Sequence, residues 1–246
     1  MAFFDIHTHT TYCDGKNTPE EMVIAAIEKG MECIGFSAHS YTPFDESYCM
    51  KKGAIVAYQK EIRELKEKYK NDIKIYCGIE QDFYSDEPIN DYDYVIGSVH
   101  YLKVNNEYIP IDESAQIQEN AVNTYYGGDF YEFADDYFST VSKIKNADII
   151  GHFDIISKFN EKCKFFDEKD VRYVNSYKKA LDILLEQDFT FEINTGCISR
   201  GFKTIPYPNP DIIEYIKKKG GKFILSSDAH SKEGLIFEFS KYKKYL

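Results

Sequence analysis

Short apolar runs alternate along the chain with longer stretches in which apolar residues recur every three or four positions. The short runs fall at residues 33–38, 73–79, 94–99, 149–151, 190–194 and 222–227, and each reads as a buried strand. A first strand from Phe3 precedes them and runs into a turn that contains Gly15. The longer stretches read as helices. Thr18-Pro19-Glu20-Glu21 carries an N-cap, a proline suited to the first helical position and a capping-box glutamate, and the helix it opens should stop at Gly30. Residues 54–69 place Ile55, Tyr58, Ile62, Leu65 and Tyr69 on one face. Two more helices are expected over residues 129–145 and 168–187.

The stretch from 101 to 128 is the least regular, with a small hairpin expected to turn at Asn105-Asn106. Seven strands alternating with helices imply a parallel sheet, open or closed. Only sixteen residues follow His230, too few for an eighth strand and helix. The pattern therefore favours an α/β fold, a seven-stranded (β/α)7 TIM-like barrel forming one domain over residues 1–246.

Composition narrows the function. A 246-residue chain with 43% hydrophobic and 16% aromatic residues can bury a large core. A net charge of −11 argues against nucleic acid or an anionic membrane surface as partner, because both demand clustered Lys and Arg. A small anionic substrate is still allowed, since bound cations can reverse the field inside a pocket. No apolar run is long enough to span a bilayer, and Met1-Ala2-Phe3-Phe4-Asp5 lacks the features of a signal peptide, so a cytoplasmic location is expected. Six scattered cysteines with no Cys-x-x-Cys pair read as reduced packing thiols.

The six histidines carry the chemistry. His7, His9, His39, His100, His152 and His230 each fall at the expected carboxyl end of a strand, the end where α/β barrels build their sites. In an extended strand His7 and His9 share a face. Asp14, Glu80 and Asp228 occupy equivalent positions. A lone His-x-His is ordinarily just a pair of hydrogen-bonded histidines. Nine ligand-type side chains on one rim are another matter, and at four to six ligands per ion they suit two or three divalent ions.

The pattern resembles the polymerase and histidinol phosphatase (PHP) family. His7-x-His9, Asp14-Gly15, His39, Glu80, Gly97-Ser98-Val99-His100, Gly151-His152 and Asp228-Ala229-His230 together extend the resemblance over essentially the whole chain. It implies a distorted (β/α)7 barrel with a trinuclear metal centre. Carried over by position, it implies one ion on His7, His9, Glu80 and Asp228, a second on Asp14, His39 and His230, and a third on Glu80, His100 and His152. Some members carry histidine where this chain has Asp14, a harder, anionic ligand that favours manganese or iron over zinc at that ion. The identity of the metals, zinc, manganese or iron, stays open.

Three divalent ions bring six positive charges and the three carboxylates return three negative ones, which suits a phosphate dianion. Water between two such ions loses its proton near neutrality and can attack phosphorus, so no protein nucleophile is required. Asp228 and His230 are candidates for protonating the leaving oxygen. Arg200, in the Gly-flanked loop after the sixth strand, offers a guanidinium fork to phosphate, with Ser199 and Lys158 as further candidates. Tyr101 and Phe153, each directly after a histidine, are expected to line the pocket, and acidic Asp45, Glu46 and Asp82 to face a cationic substrate. The resemblance points to hydrolysis of L-histidinol phosphate. Two alternatives stay open: another phosphate ester (nucleotide, sugar phosphate or phosphotyrosine), and a metal-binding structural module without catalysis.

Overall fold

The structure, a computed structural model, describes residues 3–246. In chain order its elements are β1 (Phe4–Asp5), α1 (Pro19–Glu28), β2 (Cys33–His39), α2 (Ile55–Lys68), β3 (Lys74–Asp82), β4 (Tyr94–Ser98), β5 (Tyr101–Val104) and β6 (Glu107–Pro110). There follow α3 (Ala115–Tyr125), α4 (Phe130–Val141), β7 (Ile149–Ile150), α5 (Asn160–Cys163), α6 (Val171–Leu184), β8 (Thr190–Asn194), α7 (Gly196–Ser199), α8 (Pro210–Lys218), β9 (Lys222–Ser226) and α9 (Phe239–Tyr242).

Seven strands form one parallel sheet in the order β1-β2-β3-β4-β7-β8-β9. Its edges curl round until they nearly meet. Thr8 bridges Ala229 in parallel register, the His9 N–H donates to the Ala229 carbonyl at 2.9 Å, and the Ala229 N–H donates to the His7 carbonyl at 3.2 Å. The buried Asp5 carboxyl reinforces this seam, accepting from the Ser227 N–H at 3.1 Å, the Ser227 hydroxyl and the Ile236 N–H at 3.2 Å. The expected distorted (β/α)7 barrel is the fold observed.

Local chemistry accounts for the elements. Thr18 and Glu21 form the reciprocal capping box, the Thr18 hydroxyl accepting from the Glu21 N–H at 3.3 Å and the Glu21 carboxylate from the Thr18 N–H at 2.8 Å. Gly30 takes up φ 68° just past the end of α1, a conformation a side chain would oppose. All seven residues of β2 are buried, as a parallel strand covered on both faces requires. Tyr58 on α2 donates its hydroxyl to the Gly78 carbonyl at 2.9 Å and ties helix to sheet.

Four expectations need correction. The first strand is only two residues, so His7 and His9 lie beyond it on the seam rather than within a long strand. β3 runs three residues further than the apolar run, to Asp82, so Glu80 and Asp82 sit inside it on one face. The 101–128 stretch does hold the hairpin, with Asn105 and Asn106 at φ 51° and 67°, but also contains helix α3. Helix α8, between β8 and β9, was not anticipated either; Asn209 caps it at the Ile212 N–H and Pro210 fills its first turn.

Candidate metal centre

The carboxyl ends of the strands bring the nine expected side chains together. His39 is the last residue of β2 and pairs in register with Glu80 of β3. His100 lies between β4 and the β5-β6 hairpin, His152 follows β7, and Asp228 and His230 follow β9. Asp14 returns from the turn after β1. Their donor atoms fall into four overlapping groups, each spanning no more than 4.8 Å: His9, Asp14, His39 and His230; His7, Glu80 and His152; His7, His9 and Asp228; and His39, Glu80 and His100. Glu80 is the hub. Its Oε2 lies 2.8 Å from His39 Nδ1, 3.3 Å from His7 Nε2 and 3.6 Å from His9 Nε2, while its Oε1 lies 2.8 Å from His152 Nε2 and 3.4 Å from His100 Nε2. Asp228 Oδ1 stands 3.2 Å from His9 Nε2, and Asp14 Oδ2 stands 3.2 Å from His230 Nε2. Asp228 itself has φ 49°, a left-handed backbone that a non-glycine residue rarely adopts and that is typical of strained functional positions.

Three of these atoms, His7 Nε2, His9 Nε2 and Glu80 Oε2, are fully buried and make no hydrogen bond. Orphaned buried polar atoms are costly, and here they converge on one another. Imidazole nitrogens and carboxylate oxygens aimed at common points form a donor set that divalent transition ions fit.

The ring nitrogens on the far sides meet acceptors that settle the tautomers. His7 Nδ1–H donates to Glu192 Oε1 at 2.6 Å and His100 Nδ1–H to Asp82 Oδ2 at 3.2 Å. Each leaves the Nε2 lone pair pointing into the cluster. Without an ion, Glu192, Glu80 and Asp228 outweigh the burial that opposes charge on His7 and push the group well above its usual value, so an ion that takes the Nε2 lone pair displaces a proton from it. Burial, with His230 and His39 beside it, drives His9 down to about 3, so His9 presents a neutral imidazole. Burial raises the Glu80 and Asp228 carboxyls, yet the surrounding histidines and, for Asp228, Arg200 hold both well below the carboxylate range.

A cavity of about 340 Å³ opens onto this cluster. Asp14, His39, His100, His152, Asp228 and His230 line it together with Arg200 and Lys158. A larger groove of about 610 Å³ lies against α4 and α6 and holds none of the nine side chains. Arg200 is where the loop position implied, with its guanidinium already engaged: Nη1 donates to the Asp228 carbonyl at 2.7 Å and Nη2 to Asp228 Oδ2 at 2.8 Å. Gly196 makes that approach possible, because a Cβ there would meet Arg200 Nη2 and Asp228 Cβ at 2.9 Å. Lys158 is tethered by Asp112, through its carbonyl at 2.7 Å and its Oδ2 at 3.0 Å.

Other expectations are not met. Ser199 does not line the cavity, since its hydroxyl turns back to the Gly196 carbonyl at 3.0 Å inside α7. Tyr101 lines it, but Phe153 is packed in the core, 1% exposed. Of the three acidic residues, only Asp45 faces the cavity, accepting from the Tyr101 hydroxyl at 2.6 Å. Glu46 pairs with Tyr41 at the surface, and Asp82 is buried against His100. The sequence reading passed over Glu192. Its one signal was a charged residue in the middle of the otherwise apolar strand Thr190-Phe191-Glu192-Ile193.

A family model described as the PHP domain matches residues 5–196. This chain belongs to the PHP domain family. The matched segment contains seven of the nine candidate ligands; Asp228 and His230, with Arg200, lie past its end. Among curated relatives of this PHP chain is one named "Probable histidinol-phosphatase" from Deinococcus radiodurans, 28% identical over 98% of this chain and 92% of its own length. Among solved structures, hisK of Listeria monocytogenes superposes with a TM-score of 0.84 at 22% identity, covering 98% of this chain and all of the other. The histidinol phosphate phosphatase of Lactococcus lactis, whose crystal structure holds zinc, L-histidinol and phosphate, superposes with a TM-score of 0.74 at 21% identity, covering 98% and 91%. Both likenesses extend the barrel fold over 98% of the chain. Among the described residues no helix is long and apolar enough to cross a membrane.

Proposed function

We propose that this PHP chain is a metal-dependent phosphomonoesterase that hydrolyses L-histidinol phosphate to L-histidinol and phosphate, as a step of histidine biosynthesis in the cytoplasm. One observation carries the reading: buried, partnerless His7 Nε2, His9 Nε2 and Glu80 Oε2 converge under a cavity that also presents Arg200 and Lys158. The name of the Deinococcus relative and the molecules held in the Lactococcus structure support the choice of ester. Six unpaired cysteines accord with a reducing compartment.

Three divalent ions, zinc, manganese or iron, would be held by His7, His9, Glu80 and Asp228; by Asp14, His39 and His230; and by Glu80, His100 and His152. Such ions lower the pKa of water and neutralise phosphate oxygens. The chain's own groups do the remainder. Arg200 is held on one side by Asp228, and its further N–H donors serve a phosphate oxygen. Lys158 spends two of its three N–H donors on Asp112 and keeps one for the substrate. His230, on the cavity wall beside Arg200, passes the proton that the departing alkoxide needs, while Asp228 stays ionised next to it. Asp45 and Tyr101, on another part of the wall, offer an acidic, aromatic surface to the amine and imidazole of the substrate.

Phosphate release from L-histidinol phosphate by manganese- or zinc-loaded protein, beside nucleotide, sugar and aryl phosphates, tests the assignment. Preference for histidinol phosphate by several orders of magnitude in kcat/KM is expected. A different ester winning would discard the substrate assignment and keep the phosphatase. No hydrolysis of any ester by metal-loaded protein would favour a binding module.

A further inference from the structure

Glu192 takes no part in the ligand set above, yet it is 1% exposed and touches two of its members. Its Oε1 accepts from His7 Nδ1–H at 2.6 Å. Its Oε2 accepts from the His152 backbone N–H at 2.9 Å and from Asn194 Nδ2 at 3.1 Å. One carboxylate on β8 therefore fixes the ring of His7, past the end of β1, and the main chain of His152, past the end of β7. The residue before His152 is glycine, and a Cβ on Gly151 would collide with Ser98 Oγ at 2.4 Å and stand 3.6 Å from Glu192 Oε2. The backbone there is pared down where Ser98 and the carboxylate crowd against it.

We infer that Glu192 is a positioning residue for the metal centre: it holds the proton of His7 on Nδ1, keeps the Nε2 lone pair available to an ion, and locks His152 in place to share Glu80. This rests on the metal centre proposed above. An imidazole whose Nδ1 proton is held by a carboxylate is a better oriented and more basic ligand. Glutamine in place of Glu192 has the same shape but only one acceptor oxygen. That oxygen is claimed by two donors, His152 N–H and Asn194 Nδ2, so the amide NH₂ would face His7 Nδ1. The His7 proton would then move to Nε2, where it blocks ligation.

The test is divalent-ion affinity by chelator competition and metal content per chain, for wild type and Glu192→Gln, with the melting temperature of each metal-free protein as control. A loss of about 10- to 100-fold in affinity for at least one ion is expected. A merely structural glutamate would lower the melting temperature and leave affinity unchanged, and that result overturns the inference. Should Glu192→Gln fail to fold, two-bond ¹H–¹⁵N correlation of zinc-loaded wild type decides: the His7 proton on Nδ1 supports the inference, and the proton on Nε2 overturns it. Wild type that binds no divalent ion would bring down the proposed metal centre together with this role. Wild type that binds normally beside an unaltered Glu192→Gln brings down this role alone.

Discussion

Replacing Arg200 with methionine separates its two duties, holding Asp228 and meeting phosphate. The substitution removes the hydrogen bonds from Nη1 to the Asp228 carbonyl and from Nη2 to Asp228 Oδ2, at 2.7 and 2.8 Å. Hydrogen bonds that involve a charged group are worth about 1.5–3 kcal/mol each. The arginine side chain is 28% exposed, so water recovers part of the loss, leaving about 2–4 kcal/mol of the metal-free protein's stability. At roughly 2–4 °C per kcal/mol for a chain of this size, its melting temperature should fall by about 5–15 °C. Divalent ions at the proposed centre would supply Asp228 with the countercharge that arginine gave it. The deficit should therefore shrink when manganese is added, which thermal denaturation with chelator and with metal measures directly. The metal-loaded variant should also lose roughly 30- to 150-fold in kcat/KM for histidinol phosphate, the equivalent of one charged contact at about 2–3 kcal/mol. No melting deficit in the metal-free variant would refute the first duty, and an unchanged kcat/KM would refute the second.

Three further outcomes follow from other parts of the structure. Asp45→Asn should raise KM for histidinol phosphate roughly tenfold, the worth of a charged hydrogen bond, and leave an aryl phosphate without an amine unaffected in steady-state kinetics. Gly196→Ala should cost about 1–3 kcal/mol in chemical denaturation, because the new methyl falls 2.9 Å from Arg200 Nη2, Asp228 Cβ and the Ser227 carbonyl. Asp129 caps α4 and takes the Arg172 guanidinium at 2.8 Å, and that bond holds its carboxyl below the ordinary value in the folded state. A depressed folded pKa means that the stabilisation is present above the unfolded pKa of about 4 and lost as pH falls through the lower folded value. Asp129→Ala should thus cost about 1 kcal/mol at pH 7, with the gap from wild type closing in acid, as urea titrations at a series of pH values would show.

The barrel was legible because its strands are buried on both faces and read as unbroken apolar runs, β2 most plainly. Caps also spoke clearly: Thr18-Pro19-Glu20-Glu21 marked α1 to the residue, and Asn105-Asn106 marked the hairpin. Helix α3 hid because it buries only Gln118, Ala121 and Val122, too few apolar positions to show a period. Helix α8 had its signal in Asn209-Pro210, but it spans only nine residues and buries three, Ile212, Ile213 and Ile216, so its apolar period is short. The candidate ligands stood out because histidine is scarce and all six fell at expected strand ends. The groups that hold them did not. Glu192 and Asp82 look like ordinary acidic residues until the fold aims Glu192 at His7 Nδ1 and Asp82 at His100 Nδ1, and Ser199 looked like a phosphate donor until α7 turned its hydroxyl inward. Alternation along a strand tells which residues share a face; partners 185 positions apart, such as His7 and Glu192, depend on how the sheet closes.

The most direct measurement is a titration of manganese into chelator-stripped protein, following bound metal and phosphate release from L-histidinol phosphate on the same samples. The account predicts no turnover without metal, with activity rising as the sites fill towards three ions per chain. Hydrolysis at full rate by the metal-free protein, or none by a chain that has taken up its ions, would contradict it.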